Sequence, residues 1–211
     1  GDPRTATFLL VPGVAVVGSF AGLGDPGSYL RDTEQFASVL EGDIKNNDLP
    51  GFGNRADNVY HVVSAVQLGY SGTLDGFTIR GGQADGFRPA SGGGLFLFES
   101  SPKIVSCTFT ENWAGFVTPP NPPNPSYNIG CGGAIFYLTE QVIEGLPSEV
   151  SIEESEFVGN RALESGGAAC GENVSFVFRD CVFQDNATTG NGGAFASMHS
   201  YVDPSVTFEA C

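Results

Sequence analysis

Two short signatures alternate along the second half of this chain, and their spacing constrains the fold more than any other feature. The first is Phe-x-x-Asn, at Phe109-Thr-Glu-Asn112, Phe157-Val-Gly-Asn160 and Phe183-Gln-Asp-Asn186. The second is Gly-Gly-Ala with an apolar neighbour, at Gly132-Gly133-Ala134-Ile135, Gly166-Gly167-Ala168-Ala169 and Gly192-Gly193-Ala194-Phe195. Phe157 precedes Gly166 by 9 residues, Phe183 precedes Gly192 by 9, and Phe157 precedes Phe183 by 26. The step from Phe109 to Phe157 is 48 residues, and its excess lies in two stretches. One runs from Phe116 to Gly130 and contains Pro119-Pro120-Asn121-Pro122-Pro123-Asn124-Pro125, which cannot donate to a ladder and must loop out. The other runs from Thr139 to Ser148. A degenerate earlier copy reads Phe77-Thr-Ile79-Arg-Gly-Gly82, followed by Gly93-Gly94-Leu95-Phe96.

A period in the twenties with strand-like content predicts a solenoid. Phe178, Cys181 and Phe183 alternate with Arg179, Asp180 and Gln184 near the asparagine, as do Ile104, Cys107 and Phe109 among Ser106, Thr108 and Thr110. The parity breaks at Phe178 and Ile104, which predicts a bend there. The fold class that follows is all-β, a right-handed parallel β-helix with long inserted loops, forming one domain over residues 1–211. Residues 76–211 carry the regular repeats. Residues 1–75 lack the signatures and read as less regular turns with a loop or cap, including a short helix within Ser28–Leu40. Both ends read as internal to a longer protein.

If successive turns pair in parallel at about 4.8 Å, like residues stack on like. Ile79, Phe109, Phe157 and Phe183 then fill the core as one column, each contributing roughly 2–3 kcal/mol on burial. Asn112, Asn160 and Asn186 form an amide ladder at a bend. The pairs Gly132-Gly133, Gly166-Gly167 and Gly192-Gly193 fall where φ is positive or where a Cβ would collide. The position of Phe77, Cys107, Ser155, Cys181 and Cys211 faces inward. Five cysteines with no close pair are not a small-protein disulfide framework, and they lack zinc spacing. Cys181 and Cys211 stack one turn apart, with free thiols favoured over a bridge.

The alternating signatures resemble the repeats of the polymorphic outer-membrane proteins, autotransporter surface proteins with β-helical passengers. A second resemblance covers the front: Arg4-Thr-Ala-Thr-Phe8, Gly13 to Gly22, Leu40-Glu-Gly-Asp43, Asp57-Asn-Val-Tyr-His-Val-Val63 and Leu74-Asp-Gly-Phe-Thr-Ile79 look like a large class of β-helix proteins of secreted and surface-anchored bacterial origin. The resemblance implies surface display, adhesion or scaffolding, and brings no catalytic residue with it.

Charge narrows the partners. Lys and Arg total 9 against 24 Asp and Glu, a formal net charge of −15. Such a chain repels nucleic acid and anionic lipid, and no apolar run is long enough to span a membrane. The expected role is that of an extracellular or cell-surface structural or adhesive segment. Its partners would be itself, by end-to-end assembly into filaments, or other surface proteins.

The alternative is a polysaccharide lyase, a glycoside hydrolase or a carbohydrate-binding domain on the same fold. A glycan would meet a groove lined by Trp113, Phe116, Tyr127 and Tyr137, and Asp75, Asp180 and Asp185 would lie on one face. No catalytic residue is assigned and no cofactor is required. Calcium is the one candidate metal, at Asp43, Asp48 and Asp57, against ordinary Asn/Asp turn chemistry in the same stretch. His61 and His199 have no nucleophile at a recognisable spacing.

Overall fold

A computed structural model describes residues 1–23, 27–86, 89–116, 130–139, 149–198 and 205–211. The described chain is all-β apart from a 3-10 turn at Pro3–Thr5, and its strands assemble into four sheets in which every strand pairing is parallel. The first sheet orders Phe8–Leu9, Val63–Gly69, Leu95–Ser100, Ile135–Leu138, Ala169–Glu172 and Phe195–Met198. The second orders Ala15–Val17, Thr73–Asp75, Lys103–Val105, Glu149–Glu153, Ser175–Arg179 and Val206–Glu209. The third orders Ser38–Glu41, Phe77–Arg80, Thr108–Thr110, Glu156–Val158 and Val182–Gln184. The fourth orders Gln83–Ala84, Trp113–Ala114, Arg161–Ala162 and Ala187–Thr188. The chain visits the four sheets in turn and then begins again.

The register places like on like. Leu40, Ile79, Phe109, Phe157 and Phe183 are successive partners across the third sheet. The rings of Phe109 and Phe157 stack at 5.2 Å and those of Phe157 and Phe183 at 4.8 Å, close to the spacing of neighbouring strands. A second column in the facing sheet runs Val16, Leu74, Ile104, Ile152, Phe178 and Phe208. Core volume is traded between neighbours. Tyr137 shares its turn with Val150, whereas in the next turn Phe176 replaces Val150 and Gly171 replaces Tyr137. A Cβ on Gly171 would lie 2.6 Å from the Phe176 ring, so the larger ring requires the smaller partner.

Four columns of left-handed residues turn the corners. Gln67 and Glu99 lie near the ends of their first-sheet strands and Asn173 just past the end of its own, and Gly76, Ser106, Glu154, Asp180 and Ala210 lie between the second and third sheets. Gly81, Glu111, Gly159 and Asp185 lie between the third and fourth, and Gly92, Gly132, Gly166 and Gly192 between the fourth and first. The second column explains the parity break: Asp180 reverses the chain, so Phe178 and Cys181 both face inward. Cys107, Ser155 and Cys181 are buried at that corner, whereas Cys211 on the last turn is exposed.

Each ladder asparagine links its turn to the preceding one. Asn160 accepts at Oδ1 from the backbone N–H and Nδ2 of Asn112, each at 3.1 Å, and donates from Nδ2 to Phe109 O at 2.9 Å. Asn186 repeats the pattern on Asn160 and Phe157. Gly82 holds the same place one turn earlier, its N–H donating to Asn112 Oδ1 at 3.0 Å. The two residues of a glycine pair have different reasons. Gly132 has φ +63, a conformation that costs a residue with Cβ, while a Cβ on Gly133 would collide with the Arg161 and Gly167 carbonyls. Gly166-Gly167 repeats both features, and Gly192 repeats the first with φ +68.

The structure corrects two readings. The early glycine copy is Gly92-Gly93-Gly94 and not Gly93-Gly94-Leu95, because Leu95 pairs with Ile135. Ser28–Leu40 contains no helix among its described residues; Asp32 caps one turn in which Phe36 N donates to Asp32 O at 2.9 Å. The chain then enters Ser38–Glu41, which sets Leu40 on Ile79 at the head of the core column. Parallel pairing also continues ahead of residue 76, through Val63–Gly69 and Thr73–Asp75, where the asparagine and double-glycine signatures do not. Cys131 and Cys170, a pair that spacing left open, form a disulfide across adjacent turns, 39 residues apart in sequence. The two inserted stretches, Phe116–Gly130 and Thr139–Ser148, lie outside the described residues except at their ends.

Asn160→Ala strands the Asn112 N–H groups and the Phe109 carbonyl in a buried site. It should cost about 2–4 kcal/mol in denaturant unfolding, while Glu156→Ala on the exposed face of the same turn should cost little. Reducing Cys131–Cys170, or replacing both by Ser, should cost about 4 kcal/mol by loop entropy, read as a fall in unfolding midpoint.

Candidate functional site

The outer face of the fourth sheet is where half-buried aromatic rings and guanidinium groups gather. Its strands put Ala84, Ala114 and Ala162 inward, buried at the narrow side of the core. Alternation therefore sends Gln83, Trp113 and Arg161 outward, one above another. Residues 43–58 fold over this face. Phe52 lies between two guanidinium groups, with Arg55 at 4.3 Å and Arg161 at 4.8 Å from its ring centroid. Arg55 is buried, donates to the Glu111 carbonyl and sits 3.1 Å from Asp48 Oδ2. Burial lowers the Arg55 pKa and the Asp48 carboxylate opposes that shift.

Arg4 closes the upper side of this face. Its Nε donates to Asn58 O at 2.6 Å, its Nη2 donates to Gln83 O at 3.1 Å and pairs with Asp85, and it lies 4.2 Å over the Tyr60 ring. Tyr60 in turn donates to Asp2 at 3.0 Å.

The four proposed groove residues do not form one groove. Trp113 is half-buried on the outer face of the fourth sheet, with its ring over Gly115. Phe116 is half-buried where the described strand segment ends. Tyr137 is 2% exposed and packs in the main core from the first sheet, so it offers a glycan no surface. Tyr127 lies outside the described residues, as does His199.

The carboxylates do not converge either. Asp75 pairs with Arg31 in the second sheet, while Asp180 and Asp185 occupy different corners. The signal that separates them is the pair of left-handed positions, which periodicity alone registers only as broken parity.

In the acidic loop, Asp43 accepts from the backbone N–H groups of Lys45 at 3.1 Å and Asp48 at 2.8 Å, and Asp57 accepts from the same Lys45 N–H at 3.1 Å. The turn chemistry is thus present. Among the described residues, no three His, Cys, Asp or Glu side chains together make a metal-holding group.

Two further sites were not legible in the sequence. His61 stacks on Phe96 at 5.1 Å, and its Nδ1 lies 2.9 Å from the Gly92 carbonyl, which fixes that nitrogen as the donor. Burial pushes His61 down to about 4. The Cys131–Cys170 bridge lies in a small outer cluster with Phe136, against Phe96, Leu138 and Met198. The remaining thiols differ: burial pushes Cys107 and Cys181 up to about 11, which leaves both protonated and unreactive near neutral pH.

Among the described residues, no helix is long and apolar enough to cross a membrane. No protein-family model, curated protein or solved structure matches the chain.

The His61 shift sets a pH dependence. The unfolded imidazole titrates near 6.5 and the folded one near 4, so the unfolded chain binds more protons between these values. Stability should fall as pH drops from 6.5 to 4. His61→Phe should flatten that part of the profile relative to the parent, measured as unfolding free energy against pH.

Proposed function

We propose that the four parallel sheets are the faces of a right-handed parallel β-helix, and that this chain is a structural or adhesive segment working outside the cell or on its surface. The observation that carries the reading is the fate of the signature residues. The phenylalanines stack on one another and the asparagine amides are consumed by bonds between turns. One glycine of each pair turns a corner and, in Gly132-Gly133 and Gly166-Gly167, the other yields to a neighbouring carbonyl. The repeat is thereby explained by architecture, which supports a structural role for its residues. Right-handedness follows from the rule that parallel strands joined by crossovers turn that way in nearly all sheets. The disulfide between adjacent turns supports an oxidising compartment.

The role extends to end-to-end self-association, because a parallel sheet edge that no further turn covers pairs with strands of another chain.

Incubation with acidic and neutral polysaccharides should release no new reducing or unsaturated ends. Turnover abolished by Asp75→Ala or Asp180→Ala would replace this reading with the enzyme. Sedimentation velocity should show assemblies that grow with concentration, and monomers throughout would remove the end-to-end part.

A further inference from the structure

We propose that residues 43–58 hold a calcium ion against the outer face of the fourth sheet. The proposal stands on orphaned oxygens and not on the acidic cluster alone. Among the described residues, the buried side-chain polar atoms without a hydrogen-bond partner all lie in this loop or directly beneath it: Asn47 Oδ1, Asp48 Oδ1, Asn58 Oδ1, Arg55 Nε and Gln83 Oε1. Four of these five are acceptor oxygens. Asn58 is fully buried, and its Nδ2 donates to Asp48 Oδ2 at 2.9 Å, so the amide lies directly against the acidic loop. Buried polar atoms are almost always satisfied, and one left unpaired costs about 1–3 kcal/mol. Three orphaned acceptors on Asn47, Asp48 and Asn58 therefore mark a place that requires a donor or a cation.

Charge favours the cation. Asp43 and Asp57 both reach the one Lys45 N–H, each at 3.1 Å, which forces two carboxylates together. The nearby guanidiniums are already engaged, Arg55 with Asp48 and the Glu111 carbonyl, and Arg80 with Glu41. The donors on offer are carboxylate and amide oxygens on an irregular loop. That set suits calcium, which takes six to eight oxygens in adaptable geometry, and not magnesium, which demands a small octahedron.

Calcium titrated into the chelator-treated protein should give saturable heat for one ion per chain, with a dissociation constant in the range of extracellular modules, roughly 10⁻⁴–10⁻³ M. It should also raise the unfolding midpoint, and magnesium at the same concentration should do neither. Asp43→Asn keeps an oxygen for the Lys45 N–H, giving up only the bond to the Asp48 N–H, and should weaken calcium at least tenfold in a protein that still unfolds cooperatively. Asn47→Ala, on a half-buried residue outside the strands, provides an independent second variant with the same expected loss. Absence of saturable heat would overturn the proposal, leaving bridging water as the donor. Heat unchanged in both variants, or equal with magnesium, would likewise overturn it by showing an adventitious ion only.

Discussion

In-register parallel pairing is the constraint from which the rest of this structure follows. Each strand meets its counterpart one turn away at about 4.8 Å, so a side chain cannot choose its vertical neighbour. A residue placed inward in one turn sits on whatever the next turn places there. Phenylalanine tolerates this well, since parallel rings stack at the strand spacing, as Phe109, Phe157 and Phe183 do. Ionised groups do not, and the inward columns contain none among the described residues. Where charges do stack, on the outer face of the second sheet, they alternate: Glu153 meets Arg179, which meets Glu209.

The same constraint makes buried amides useful. An asparagine carries a donor and an acceptor on one plane, so a column of them satisfies itself: each oxygen accepts from the turn before, and each NH2 donates back to it. The bend between the third and fourth sheets can then be buried without stranding backbone groups. The contrast with residues 43–58 is informative. There Asn58 is fully buried and Asn47 and Asp48 half-buried, each with one enclosed oxygen, but they belong to one turn only. With no copy above or below, they have no ladder to join, and their unpaired oxygens are what gives the loop a chemistry that the ladder lacks.

Surface and interior divide the remaining features in the same way. The fourth sheet faces inward with alanine, and this narrow corner turns Trp113 and Arg161 to the outside, where the Phe52 ring lies against the Arg161 guanidinium. Tyr137, chemically similar to a binding aromatic, faces the other way because its strand in the first sheet alternates in the opposite phase relative to the core. Aromatic content alone thus says nothing about which rings a ligand can reach. The disulfide and the His61 stack occupy the outer side of the first sheet, where a second apolar cluster forms outside the main core.

The sequence by itself determined the repeat, the all-β character and the vertical order of its columns, because a periodic constraint leaves a periodic trace: Phe109, Phe157 and Phe183 could be placed on one another by counting. Early turns were harder to see, since Leu40 and Ile79 hold the phenylalanine position with ordinary aliphatic residues and Gly82 holds the asparagine position with no side chain at all. Only the tertiary structure decided which cysteines meet, where the left-handed corners separate Asp180 from Asp185, and that Gly171 yields its space to Phe176. It also decided that the loop oxygens of Asn47, Asp48 and Asn58 are buried without donors. These are matters of distance between residues that do not repeat, and a contact that occurs once leaves no period to read.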